Sequence, residues 1–187
     1  MNRRLFFRLP LVAASLVAAQ SAIATAFAQV AGALRQKVWV KAGEDRDNKP
    51  FKFLGADFQV KVSGKDNDGR LVIFDTVRPE KKGPPLHLHI DCDEWFFVRD
   101  GEFKAQAGDE IVRLKAGDSL FIPRNLPHTF VKTSEGVAHM IVMHQPAGTM
   151  EEYFRTASQF ADPAQAFTPE IMARHNMRTV GPPLSPD

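Results

Sequence analysis

The stretch "GPPLHLHIDCDEW", from Gly83 to Trp95, sets two histidines, a cysteine and three acids between turn residues and an aromatic. In a strand, alternate side chains share a face, so His87 and His89 point the same way, roughly 6–7 Å apart along the backbone. Two imidazoles so placed can converge on one ion. The residues "IDCD" let the chain turn before Glu94, which brings a carboxylate to the same ion from a neighbouring strand. His128, which follows the stiff corner "PRNLP", supplies a third imidazole from further along the chain. Three imidazoles and one carboxylate make a nitrogen and oxygen set for one divalent transition metal, Fe, Mn, Ni, Cu or Zn, and a poor one for Ca or Mg. A lone HxH is weak evidence, because most such pairs are ordinary surface or core histidines; the joint spacing of the four residues carries the reading.

The elements that must hold these groups read as strands. Between Phe51 and Gln145, short apolar and polar alternations are cut by "DNDG", "RDG", "AGD", "KAGD" and "SEG", the rhythm of an all-β barrel or sandwich. Strands are expected at 57–62, 70–77, 86–90, 94–99, 102–107, 110–114, 119–122, 128–132 and 137–145, with "KVWVK" (37–41) as an edge strand. After Pro146 the pattern changes. Thr149 and Glu152 form a capping-box signal, and Met150, Tyr153, Phe154 and Ala157 share one helical face. Thr168 and Pro169 open a second short helix, and the ending "GPPLSPD" is excluded from regular structure, lying either pinned extended or loose. The organisation expected is a leader at 1–28, an extension at 29–50, a barrel at 51–148 and helices with a tail at 149–187.

Strand parity extends the site. If Glu94 faces inward, so do Phe96 and Val98, and Phe130 follows His128; Met140 and Val142 join them if their register allows. These five form the expected apolar pocket for a small organic ligand, although each is also accounted for as plain core. Trp95 and Phe97 fall on the opposite face. His139 is expected to face solvent, His144 to reach the pocket mouth from a strand end, and His175 to belong to the tail. Asp91 and Asp93 could favour cation entry or simply be solvated. Cys92, the one cysteine, reads as a small neighbour of the site, with a redox or ligand role as the alternative.

The first residues have a basic head (Arg3, Arg4, Arg8), an Ala-rich apolar middle and the small-residue pattern Ala26-Phe27-Ala28. That is how an export leader reads, and "RRLFFR" resembles a twin-arginine signal. Cleavage near Ala28 would give a periplasmic or secreted protein without a stable membrane anchor. The full chain of 187 residues has a formal charge of +2, with 24 basic and 22 acidic residues. Removing the three leader arginines leaves 21 against 22, or −1. A near-neutral domain with mixed charges has no electrostatic footprint for nucleic acid.

His87, His89, Glu94 and Gly101 match the first motif of the cupin superfamily, and Gly117, Pro123 and His128 match its second. The chain resembles small single-domain cupins related to quercetin dioxygenases over about residues 50–148, with "DEWFFVRDGEF", "PRNLPHTF" and the "GPPL" ending as further likenesses. The resemblance implies a single cupin β-barrel, jelly-roll-like, of two packed antiparallel sheets with the metal inside, and a tendency to form homodimers. It also implies a metal-dependent dioxygenase on a small, phenolic or flavonoid-like substrate, with Glu94 both binding metal and taking a substrate proton. A non-catalytic cupin that binds a small molecule or metal is the alternative, as is an isomerase or epimerase, against which the aromatic lining argues. Three positions depart from the pattern: Gly83 lies closer to His87 than usual, Asn125 stands where glycine is common, and Lys132 where asparagine is.

Overall fold

In the computed structural model of the chain, residues 36–187 are described. The leader at 1–28 and its cleavage point lie outside the described residues. Eleven strands are present among the described residues: β1 (Phe51–Phe53), β2 (Ala56–Val62), β3 (Val72–Arg78), β4 (Pro85–His89), β5 (Asp93–Asp100), β6 (Glu102–Ala107), β7 (Glu110–Lys115), β8 (Ser119–Ile122), β9 (His128–Lys132), β10 (Ala138–Gln145) and β11 (Met177–Pro183). They form two sheets, one in the order β1-β2-β3-β10-β5-β8 and one in the order β11-β4-β9-β6-β7, with antiparallel pairing throughout.

The alternation that marks the strands also sets what each face buries. In β5, Glu94, Phe96 and Val98 are buried while Trp95 and Phe97 are half-exposed. In β10, Ala138, Met140, Val142 and His144 are buried, and the last three face Val98, Phe96 and Glu94 across the pair with β5. Val60, Phe74, Phe96, Phe103 and Met140 fill the space between the sheets. Each such side chain contributes about 1.5–3 kcal/mol by leaving water. Among the described residues no helix is long and apolar enough to cross a membrane.

The C-terminal segment does more than trail from the barrel. Helix α1 (Met150–Ala157) lays Met150, Tyr153 and Ala157 on the core. Phe154 packs on Phe58 at 5.0 Å and on Phe74 at 5.1 Å between ring centroids. A 3-10 helix (Pro163–Phe167) and α2 (Pro169–Arg174) follow, with Pro169 in the first turn, where its missing N–H costs nothing. The chain then returns as β11 to pair with β4, Met177 opposite His89 and Thr179 opposite His87.

Three expectations need correction. The "GPPL" tail is regular structure in part: β11 includes Gly181, Pro182 and Pro183, and its pairing skips from Thr179 to Pro183. Proline is tolerated there because β11 is an edge strand. Residues 37–41 are not a strand; Trp39 is 81% exposed, and β1 takes the sheet edge instead. The expected capping box at Thr149 does not form. The Thr149 hydroxyl meets Nδ1 of buried His175 at 2.9 Å, and Ser63 gives its hydroxyl proton to Glu151 at 2.6 Å. A capping box does form at Ser63 and Asp66, around the 3-10 turn Gly64–Asp66. Within the expected extension, buried Asp45 accepts backbone N–H groups from Asp47, Lys49 and Val60, pinning residues 45–49 to β2.

Gly83, one of the motif departures, is required by space. A Cβ at this position would lie 1.6 Å from the carbonyl oxygen of Phe130, so the chain entering β4 passes against the backbone of β9. The Gly83→Ala change is expected to destabilise the fold by on the order of 3 kcal/mol, since neither backbone can retreat without moving a histidine-bearing strand. Urea unfolding with an unaltered midpoint would contradict this close approach.

Candidate metal centre

Each sheet brings a pair of polar residues into the barrel. On β4 and β9, His87 and His128 stand directly opposite one another. On β5 and β10, Glu94 and His144 do the same. Directly opposed residues in an antiparallel pair point to one face with Cβ atoms about 4.5–5.5 Å apart. Closing the two sheets brings both pairs, and His89, to a common point. One ligand atom from each of His87, His89, Glu94 and His128 lies within 4.8 Å of the others, and all four residues are buried.

The hydrogen bonds orient these rings for a cation. Nδ1 of His87 lies 2.9 Å from the Pro85 carbonyl, and Nδ1 of His128 lies 3.0 Å from the Leu126 carbonyl. A carbonyl only accepts, so Nδ1 carries the proton in each ring, and a neutral ring so held would aim the Nε2 lone pair inward. For His128 that lone pair lies 2.6 Å from Oε2 of Glu94. Two lone pairs at this distance repel unless a proton or a metal ion lies between them. Nε2 of His89 is 3.3 Å from the same oxygen but off the line of a hydrogen bond, and both His89 ring nitrogens lack a hydrogen-bond partner among the described residues. A buried polar atom left unpaired costs about 1–3 kcal/mol. These orphaned nitrogens, with a carboxylate among them, fit a divalent transition metal.

Glu94 divides its oxygens. Oε2 faces His89 and His128, while Oε1 lies 3.1 Å from Nε2 of His144, again out of line for a straight hydrogen bond. His144 is 0% exposed, deep inside the barrel and not at the pocket mouth where the sequence suggested it. Its place was readable from parity, since it is in phase with Met140 and Val142. It holds the far oxygen of Glu94 and so orients the near one, a positioning role for the carboxylate.

Burial pushes His87 well below the ordinary 6.5, with His128 and His89 adding to the fall. It lowers His89 as well, with Glu94 opposing. Burial alone would raise Glu94, but His144, His128 and His89 outweigh it and hold the carboxyl well below its ordinary 4.5. Cys92 is buried, its thiol pushed up to about 12 by desolvation and by Glu94, Asp91 and Asp93, so it stays protonated and lies outside the ligand group. Asp93 is paired with Arg124 at 3.0 Å, and Asp91 accepts from Asn176 at 2.8 Å, so both have local partners. Asn125 takes a left-handed φ of 66° and gives its N–H to the His89 carbonyl at 2.7 Å. His139 is half-buried on the outer side of β10.

Beside the cluster lies a cavity of about 40 Å³. Of the five expected lining residues, Phe130 and Val142 reach it. Phe96, Val98 and Met140 face inward as parity requires but are packed into the core; the Phe96 ring, for example, meets Phe130 at 5.1 Å. Their places at the wall are taken by residues distant in sequence: Phe53 at the end of β1 and Leu54 just after it, Arg78 at the end of β3, and Met150, Tyr153, Phe154, Phe167 and Met177 from the C-terminal segment.

Comparison with known proteins agrees with this geometry. Residues 74–144 match the cupin domain family. An RmlC-like cupin from Shewanella frigidimarina superposes with a TM-score of 0.50 at 20% identity, over 61% of this chain and 96% of that one. A predicted oxalate decarboxylase from Thermotoga maritima superposes with a TM-score of 0.53 at 16% identity, over 58% and 98%. At these identities the likeness is one of fold. In sequence, 55 residues are 44% identical to oxidoreductase iacF of Pestalotiopsis fici, 29% of this chain and 27% of that protein, so the match spans about a quarter of the relative.

Two outcomes follow for the centre. His128→Ala removes a ligand atom and is expected to weaken metal binding more than His144→Ala, which removes an orienting group and should cost about 10–100-fold; a chelator competition measures both, and stoichiometric metal in His128→Ala would refute its place as a ligand. The metal-free protein should be at full stability above about pH 6.5, the ordinary histidine value. Below it the unfolded chain takes up protons that His87 and His89 refuse, and below about 4.5 Glu94 adds the same loss as it is protonated. A melting temperature that rises on acidification from pH 7 to 5 would contradict this sign.

The fold is a single cupin β-barrel, and the family match over residues 74–144, together with the likeness to solved cupins, supports a place for the chain in the cupin superfamily.

Proposed function

We propose that the protein is an exported, metal-dependent oxygenase, a dioxygenase acting on a small organic substrate, with His87, His89, Glu94 and His128 holding the metal. The observation that carries the proposal is the convergence of four buried side chains, His87, His89, Glu94 and His128, whose ligand atoms lie within 4.8 Å of one another inside the barrel. When bound, a redox-active divalent ion supplies the electron exchange that dioxygen chemistry needs. The chain's own groups do the rest. Phe130, Val142, Tyr153 and Phe154 exclude water and hold the apolar body of the substrate. Glu94 stands at the cavity wall, where its carboxylate can receive a substrate proton, and His144 keeps that carboxylate oriented.

The cavity volume favours a compact molecule, phenolic or smaller; a three-ring flavonoid needs the C-terminal cover to move. The same closure favours a second reading, retention of a small ligand without turnover, because fold does not dictate activity. Export rests on Arg3, Arg4 and the Ala26-Phe27-Ala28 pattern, and fractionation of the native cells tests it. The expected homodimer would use the outer face of β5 and β8, where Trp95 and Phe97 stack at 5.8 Å beside Phe121, 60% exposed; the mass in solution tests that.

Oxygen uptake by the metal-loaded protein on small phenols and catechols is the direct assay. Glu94→Gln, which keeps the side chain's shape and removes its proton acceptor, is expected to lower turnover by about 10²–10⁴-fold. Inertness of the native chain with Fe, Mn, Ni and Cu alike would remove the oxygenase reading.

A further inference from the structure

The inner row of β3 reads Val72, Phe74, Thr76 and Arg78: the barrel interior ends in a cation where the pattern calls for an apolar residue. Arg78 is only 4% exposed. Its Nε donates to the Thr76 hydroxyl at 3.0 Å, and that hydroxyl in turn donates to the Met140 carbonyl at 2.7 Å, so the plane of the guanidinium is fixed from behind. The rings of Phe130 and Phe58 lie 4.6 and 5.5 Å from its central carbon. Among the described residues no carboxylate forms an ion pair with Arg78, and neither Nη group has a hydrogen-bond partner. The residue lines the same cavity as His87, His89 and Glu94. Lys132, a second buried cation among the described residues, differs in both respects: its ammonium donates to the Pro79 carbonyl at 3.2 Å, and it takes no part in the cavity wall.

A buried charge without a partner is costly, and a guanidinium is shaped to take a carboxylate through two parallel N–H bonds. Cation–π contact with two phenylalanines and the more distant Glu94 charge offset part of that cost and leave the two Nη groups open to a ligand. We propose that Arg78 is the carboxylate-binding residue of this pocket and that the natural ligand is a small monocarboxylic acid. Its carboxylate lies on the Arg78 fork, and its short body lies among Phe130, Val142 and Phe154 with its far end toward Glu94. The cavity, about 40 Å³, favours an acid with a short body. This names the substrate class of the oxygenase site and rests on that reading only for what happens after binding.

Isothermal titration of the full chain, with and without metal, against pyruvate and propionate and their neutral amides separates the possibilities. The acids are expected to bind at least about 10-fold more tightly than the amides, the range for a charged hydrogen bond, in both forms of the protein. Arg78→Met should abolish that preference, Arg78→Lys should keep part of it, and near-UV dichroism checks that each variant is folded. In the native chain, ¹⁵N resonances of the Arg78 guanidinium should shift with pyruvate, an outcome that needs no variant. Equal binding of acids and amides, no binding of either, or a preference that survives Arg78→Met and vanishes with the metal would each overturn the proposal. Acid binding without oxygen uptake would leave Arg78 in its role and remove the oxygenase reading, and turnover of neutral phenols with no acid preference would do the reverse.

Discussion

A carboxylate buried against imidazole nitrogens is an arrangement that water cannot rescue and that the protein must satisfy from within. Oε2 of Glu94 faces Nε2 of His128 and of His89, and the backbone carbonyls behind His87 and His128 have already claimed the protons on the other side of those rings. The pieces are placed by cross-strand register. His87 opposes His128 in one sheet and Glu94 opposes His144 in the other, so the centre exists only when both sheets are formed and packed. Its geometry is thus a readout of the whole barrel, and the sheet packing around it holds these polar atoms together.

Much of this was legible in the residues, for a physical reason. The HxH pair and Glu94 lie on consecutive strands, β4 and β5, and the period-2 rule fixes their faces without knowledge of any distant strand. Nine strands fell where the turn residues and alternation put them. What escaped depends on pairings between segments far apart in sequence. His144 obeyed parity, but its meeting with Glu94 is set by β10 pairing with β5. Arg78 lies one residue beyond the strand expected at 70–77, and β3 extends to include it with its even positions inside. Phe96, Val98 and Met140 were placed on the correct face, yet which inward residues touch the cavity depends on depth along the barrel, and that is a tertiary quantity. The capping signal at Thr149 was locally sound and lost to His175, a partner 26 residues away.

The chemistry of the cavity is one-sided. Metal-type ligands and the carboxylate occupy one wall, aromatic rings from the barrel and the C-terminal segment occupy the others, and a single guanidinium stands among those rings. A ligand here would meet opposite chemistries at its two ends, which fixes its orientation. The cover supplied by Tyr153, Phe154 and Phe167 keeps the dielectric low, so each charge inside acts more strongly than it would in water.

β11 has a role beyond closing the cavity. Without it, β4 would be the last strand of its sheet, and the backbone carrying two of the four clustered side chains would offer a free row of N–H and C=O groups to any extended chain nearby. With it, the outermost position passes to a segment holding Pro182 and Pro183, which lack the N–H groups that such pairing requires. The tail therefore shields the ligand-bearing strand from becoming a template for aggregation.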